Sequence, residues 1–481
     1  MSSFPEKNSN LPSRLLRCLI IVSMVLLLLS FISLFQLSDN NTVFFHRTSS
    51  LKLAPSSSSI TSPISIDNQK HILTENQNSH WNEKMITVKD EKQSLLKLKV
   101  YMYDLPPEFH FGLMGWKGKE NQTWPKLNEI PRYPGGLNLQ HSIEYWLTLD
   151  LLSKSNPDRN SLCKAIRVFD LSQADVIFVP FFSSLSYNRH SKLQGKEKVS
   201  LNKILQDKLV SFLESRIEWK QFNGKKHMIV AHHPNSMLDV RKNLGSAMFV
   251  LADFGRYPEE VANLDKDLIA PYKHLVRPID PRLSAPFEKR PMLVYFQGAI
   301  YRKDGGEIRQ ELFYLLKDEK DVHFSFGSIQ SNGINRAGQG MAKSKFCLNI
   351  AGDTPSSNRL FDAIASHCVP VIVSDQIELP FEDILDYSEF CIFVLASDAA
   401  KKGFLLDRLR RVKRAEWTRM WEKLKRISHH FEYQYPTVPG DAVNMIWDAV
   451  WRKKFSVVSN THRKTRYNSS HVLAYKQHLN Y

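Results

Sequence analysis

The stretch Gly352–Asp375, GDTPSSNRLFDAIASHCVPVIVSD, gathers hydroxyls, a cation and a carboxylate at the front of an apolar run. Asp353, Thr354, Ser356 and Ser357 stand where a helix is about to begin, and the unpaired N–H groups and dipole of a helix N-terminus favour an anion such as a diphosphate. Arg359 adds a guanidinium to the first turn. Asp362 shares a face with Arg359, about 10 Å from the expected helix start at 1.5 Å per residue, a spacing that suits the ribose beside a diphosphate. The chemistry on offer is recognition of a nucleoside diphosphate. The same residues also suit a capped helix with a polar surface, since Ser and Thr are common caps.

A βαβ unit must hold them. Phe346–Ile350 is a short apolar run broken by Gly352, and Thr354 with Pro355 supplies an expected N-cap and first helical residue. Leu360, Phe361 and Ile364 then recur at helical spacing. Val369–Val373 is a second β-branched run, with Pro370 tolerated near its start; such runs belong to buried parallel strands. Further strands are predicted at Lys99–Asp104, Val176–Val179, Met228–Ala231, Met248–Leu251, Met292–Phe296, Val322–Phe326 and Phe390–Val394. Helices are predicted at Gln140–Leu152, Leu201–Ile217, Glu307–Leu316 and Asp441–Trp451, with an apolar stripe of Trp417, Met420, Trp421, Leu424 and Ile427 on another. The proline-rich segment Pro271–Pro286 reads as a linker. The chain therefore divides into an α/β domain over 96–285, a second over 286–451 and a basic polar tail over 452–481, with a cleft at the carboxyl ends of the strands.

The signature above with LPFEDILDYSEF after it, and ADVIFVPFFSSLSYNRH and YFQGAIYRKDGGEIRQEL upstream, resembles the plant exostosin-like glycosyltransferases, glycosyltransferase family 47, from Val100 to about Trp451. YMYDLPPEFHFGLM, VAHHPNSM and LADFGRYP are similar in particular to its arabinan arabinosyltransferase-like members. The resemblance implies a GT-B fold of two doubly wound, Rossmann-like domains, the first on the acceptor side and the second binding the nucleotide sugar. It implies inverting transfer from a UDP-sugar, arabinose first, to a cell-wall polysaccharide such as pectic arabinan. Galactose, xylose or glucuronic acid moved to hemicellulose is the alternative within the fold. A luminal lectin or scaffold subunit without turnover is the alternative from another class.

Such a transfer needs stabilisation of the departing diphosphate, for which Ser356, Ser357 and Arg359 are candidates, joined by Arg302 and Arg309. Lys303 reads as solvated surface. It also needs a general base within reach of the acceptor hydroxyl, for which His232 and His233, ending a strand of the first domain, and Asp253, ending MFVLAD, are the candidates. Glu144 and Arg189 lie in family-like segments without an assigned role. Asp265-Lys266-Asp267 has the form of a divalent-metal motif, but it follows EEVANL, which reads as helix rather than a strand end. No metal and no cofactor is expected. No HExxH, GxSxG or P-loop pattern is present in the sequence.

Composition sets the setting. The 481 residues carry 65 Lys and Arg against 49 Asp and Glu, a basic balance without zinc-finger, RNP or groove-reading patterns, so nucleic acid is not an expected partner. Cys18–Leu37 is an uncharged, mostly apolar run of about the 20 residues that span a bilayer, behind Arg14 and Arg17. It is expected to be a retained signal-anchor, with a cytosolic tail over 1–17 and a Ser/Thr/Asn-rich luminal stem over 38–95. With the family resemblance this implies a single-pass type II protein of the Golgi membrane, with homo- or hetero-oligomers of glycosyltransferases as further expected partners. Asn40, Asn121 and Asn468 begin N-glycosylation sequons. Cys163, Cys347, Cys368 and Cys391 allow three complete pairings.

Overall fold

The computed structural model describes residues 97–153, 163–193, 199–255, 257–302, 306–327 and 332–454. The expected tail, anchor and stem over 1–95, Asn40, Asn468, Lys303 and nearly all of the basic tail lie outside the described residues. Among the described residues no helix is long and apolar enough to cross a membrane.

Two parallel sheets carry the chain. The first comprises β1 (Leu98–Met102), β2 (Ala165–Val168), β3 (Val176–Val179), β4 (His227–Val230), β5 (Met248–Leu251) and β6 (Leu268–Ile269) in the order β2-β1-β3-β4-β5-β6. The second comprises β7 (Met292–Gly298), β8 (Val322–Phe326), β9 (Ser344–Ile350), β10 (Val369–Val373) and β11 (Ile392–Val394) in the order β11-β10-β9-β7-β8. Strands β3, β4, β5 and β10 are buried at every residue, which is why they read as unbroken apolar runs rather than alternating ones. The helices that matter to the site are α1 (Ile143–Leu152), α2 (Ser183–His190), α3 (Leu201–Ser215), α4 (Glu307–Leu316), α5 (Gly333–Ala342), α6 (Asn358–Ala365), α7 (Arg414–Ile427) and a last one, α8, over 442–454. In each sheet the strand order reverses beside its first strand, between β1 and β3 and between β7 and β9. Those reversals are where open α/β sheets bind ligands.

Packing departs from the domain boundaries read in the sequence. The sequence reading assigns everything to Trp451 to the second domain, but α8 returns to the first: Ala442, Val443, Ile446, Trp447 and Val450 share one core with Leu98, Val100, Ile143, Leu147 and Phe178. The indole of Trp447 donates to Asp150 Oδ2 at 3.0 Å across 297 residues. An apolar stripe at helical spacing says that a helix is buried and not against what.

Two local corrections follow, and the cysteine pairing is settled. The helix of the signature begins at Asn358, not Pro355, with Ser357 as N-cap, its hydroxyl accepting the Arg359 N–H. Thr354 and Pro355 belong to the loop before it, where the Gly352 N–H donates to the Thr354 carbonyl and closes a turn that cannot continue as helix. The segment around Asp265–Asp267 forms turns rather than helix, and Asp267 is buried, accepting from the N–H groups of Phe249 and Asn263 and pairing with Lys266. Among the cysteines, Cys347 and Cys368 form a disulfide joining β9 to the residue before β10, and Cys163 and Cys391 stand as buried thiols.

Candidate functional site

The carboxyl ends of both sheets face a cleft of about 540 Å³, within the ordinary range for a small-molecule site. Its second-domain wall is the β7/β9 switch point. Arg309, on α4, runs its guanidinium across that junction: Nε donates to the carbonyls of Ile350 and Ala351, Nη2 to Ile350 and Nη1 to Ala299. These distances span 2.7 to 3.2 Å, and among the described residues no carboxylate forms an ion pair with the group. Burial pushes its pKa down to about 9, helped by the positive charges of Arg359 and Arg302, so at neutral pH it remains a cation held by carbonyl dipoles.

Arg359 lies beside it in the first turn of α6. Its Nε donates to the Gln297 carbonyl at the end of β7, its Nη1 reaches the Ser357 hydroxyl, and the guanidinium lies over Phe296. Burial and then Arg302 lower its pKa to about 10, so it too stays charged. Gly298 leaves room for this group, because a Cβ at that position would fall inside contact distance of the Arg359 guanidinium and push it aside. Arg302 completes the cationic wall from a more exposed position, with Nη1 on Asp353 Oδ2 at 2.9 Å. Three guanidinium groups and the N-terminus of α6 thus converge on one spot, which is the electrostatics a diphosphate needs. Ser356 lines the same loop, its carbonyl accepting from Thr354 Oγ1.

Asp362, expected to receive ribose hydroxyls, lines the cleft and also has its carboxylate engaged by the chain itself. It is buried, its Oδ1 accepts the N–H groups of Leu275 and Val276 at 2.6 and 3.2 Å, and its Oδ2 accepts from Asn358. The carboxylate braces the linker to α6. Burial pushes its pKa up from 3.8 to about 6, against the lowering by those two N–H groups and by Arg359. A carboxyl whose folded value is raised contributes stability that is fully present below its unfolded value and lost as pH rises through the folded one. Removing the ionisable group with Asp362→Asn should therefore flatten thermal stability between about pH 4 and pH 6, a contribution of at most about 3 kcal/mol. Parallel melting curves for variant and wild type across that range would refute it.

The first-domain wall is built of histidines. His232, directly after β4, is fully buried and does not line the cleft, contrary to its expected exposure; its Nε2 lies 3.1 Å from the Ala270 carbonyl and its Nδ1 2.9 Å from Nδ1 of His141. Burial pushes its pKa down to about 3. His233 does line the cleft, with its ring 4.6 Å from those of His141 and Tyr187, and its Nδ1 accepts the Asn235 N–H. His141, in the turn before α1, lines the cleft as well. Sequence reasoning missed it, because nothing local distinguishes HSIEYWL from an ordinary helix start and its partner is 91 residues away. Asp253 is buried, with Oδ1 accepting the Gly255 N–H, and is not part of the cleft wall. Glu144 is buried on α1 and accepts from the N–H and hydroxyl of Ser184, whose oxygen in turn accepts the His233 N–H. It therefore helps seat the histidine wall. Arg189 donates to the Leu113 carbonyl, Asp267 remains an internal brace, and Asn121 is exposed at a turn.

A family model described as the Exostosin GT47 domain matches residues 94–409. The chain is 37% identical over 376 residues, 76% of its length and 81% of the relative's, to the probable arabinosyltransferase ARAD1 of Arabidopsis thaliana. It is 26% identical over 394 residues, covering 74% and 73% of the two chains, to a probable glucuronoxylan glucuronosyltransferase of the same plant. Among solved structures it matches the pneumococcal O-GlcNAc transferase GtfA in complex with UDP and GlcNAc at 10% identity and a TM-score of 0.26, over 52% of this chain and 60% of that one.

Proposed function

This chain belongs to the exostosin GT47 family of glycosyltransferases, and on that footing we propose that it moves arabinose from a UDP-sugar to a cell-wall polysaccharide such as pectic arabinan. The observation that carries the donor half of this reading is the convergence of Arg302, Arg309, Arg359 and the N-terminus of α6 at the β7/β9 switch point. Charge that develops on a departing diphosphate is met there by donors already in place, which is worth most in a site that excludes water. Ser357 serves it indirectly, fixing the first turn of α6 and touching Nη1 of Arg359. The acceptor approaches from the histidine wall, so that attack and departure lie on opposite sides of the anomeric carbon, the geometry of inversion.

The sugar follows the name of the ARAD1 relative, and glucuronic acid follows the name of the more distant one. Residence as a type II protein of the Golgi membrane, anchored by Cys18–Leu37, belongs to the same proposal, as does assembly with other glycosyltransferases. A panel of UDP-arabinose, UDP-galactose, UDP-xylose and UDP-glucuronic acid, offered with arabinan and xylan oligosaccharides, tests the specificity. Turnover with UDP-arabinose on arabinan is the expected result, and turnover with UDP-glucuronic acid on xylan alone would overturn it. Because the wall for the leaving group is made of guanidinium groups, activity should persist in excess chelator. Complete loss restored by manganese would defeat that expectation.

A further inference from the structure

The hydrogen bonds behind the histidine wall dictate where its protons sit, given that tautomers follow from their partners. The Ala270 carbonyl can only accept, so Nε2 of His232 carries the hydrogen that points to it. His232 is buried and neutral, so its Nδ1 is a lone pair. The 2.9 Å contact to His141 is then a bond in which Nδ1–H of His141 donates to Nδ1 of His232. In the neutral ring this leaves the lone pair of His141 on Nε2. The hydrogen bonds of the ring run to His232, to its Nδ1 and its backbone, and the residue lines the cleft. The rings of His232, His233 and Tyr272 pack around His141 at 4.6 to 5.1 Å and hold its plane.

His233 stands the other way round. Its Nδ1 lone pair is taken by the Asn235 N–H, so its Nε2 bears the hydrogen and can donate but not accept. Of the two imidazoles on the cleft wall, His141 is the one whose lone pair is on Nε2.

We infer that His141 is the catalytic base of the transfer, with Nε2 receiving the proton of the acceptor hydroxyl. The inference rests on the glycosyl-transfer reading of this cleft. The acceptor oxygen bonds to the anomeric carbon as that carbon's bond to the diphosphate oxygen breaks. The bonding pair leaves with the diphosphate, and the hydroxyl proton moves to Nε2 and later to solvent. The imidazolium so formed keeps its Nδ1–H on His232, and through it the dipole of the Ala270 carbonyl. Burial and the neighbouring imidazoles of His232 and His233 hold the pKa of His141 below the usual histidine value, so the ring is in its base form at neutral pH.

His141→Asn keeps an amide N–H for His232 and removes Nε2, and His141→Gln is a second variant of different length. The full chain of each is titrated with UDP and assayed for sugar transfer. The expected result is UDP affinity within about twofold of wild type and transfer lower by about 10²–10⁴-fold. A variant that folds and binds UDP while transferring within about threefold of wild type overturns the assignment. Failure of both variants to fold overturns it too, by making His141 a core residue. Wild-type protein that neither binds UDP nor transfers from any UDP-sugar defeats the reading of the cleft instead.

Discussion

Replacing Arg359 with alanine is expected to lower sugar transfer by about 10²–10³-fold, the usual cost of removing one preorganised donor from a leaving group or oxyanion. The chain should stay folded, because the change strips one donor from the Gln297 carbonyl and one contact from Ser357, and a single hydrogen bond of this kind contributes about 1 kcal/mol. UDP affinity should fall by about tenfold or more, since charge-assisted hydrogen bonds contribute about 1.5 to 3 kcal/mol each. Gly298→Ala reaches the same group from the other side: its added Cβ displaces the guanidinium without touching its charge. Both variants should lose donor affinity. Unchanged UDP titrations in well-folded Arg359→Ala protein would take Arg359 out of the diphosphate site.

Arg309→Met should show itself in stability as well as in donor binding. The three carbonyls of Ala299, Ile350 and Ala351 lose the donor that joins β7 to β9, and each buried polar group left unsatisfied costs about 1–3 kcal/mol. Part of this is recovered, because the lost cation was itself desolvated, as its lowered pKa records. A net loss of about 3 kcal/mol is expected, read as a lower midpoint in denaturant. A midpoint that does not move would mean that the methionine stem packs as well as the guanidinium bonds.

Much of this arrangement is legible in the sequence where the signal is local. Val176–Val179, Met248–Leu251, Val322–Phe326, Val369–Val373 and Glu307–Leu316 are found at the residues their apolar patterns mark, because hydrophobic periodicity and turn residues are short-range properties. Arg309 and Arg359 stand out as cations beside strand ends, and they meet at the cleft. What stayed hidden depends on distance along the chain. The two amides on Asp362 come from 86 and 87 residues away, so its bracing of the linker was hidden behind its place on the cleft wall. His141 could not be told from any other histidine until His232 was set beside it. The Thr-Pro pair at 354–355 sent the opposite error: a sound local cap signal lost to a turn closed by Gly352.

The return of α8 to the first sheet means that the chain crosses between the two halves twice, and the crossings are fastened to each other. Tyr433 donates to the Pro271 carbonyl at 2.6 Å. On the outward crossing, Pro271 is thereby held to the first half, and Leu275 is held to α6 by Asp362, so Tyr272, Lys273 and His274 lie between the two anchors. On the return, Phe431 packs on Phe361 of α6 and Tyr433 on Trp146 of α1, with Glu432 between them. Lys273 and Glu432, one in each crossing, attract each other. The two crossings therefore form one tied strip behind the cleft rather than two separate connections. Tyr272, in the outward crossing, is the ring packed against His141, so that strip and the imidazole wall share a residue.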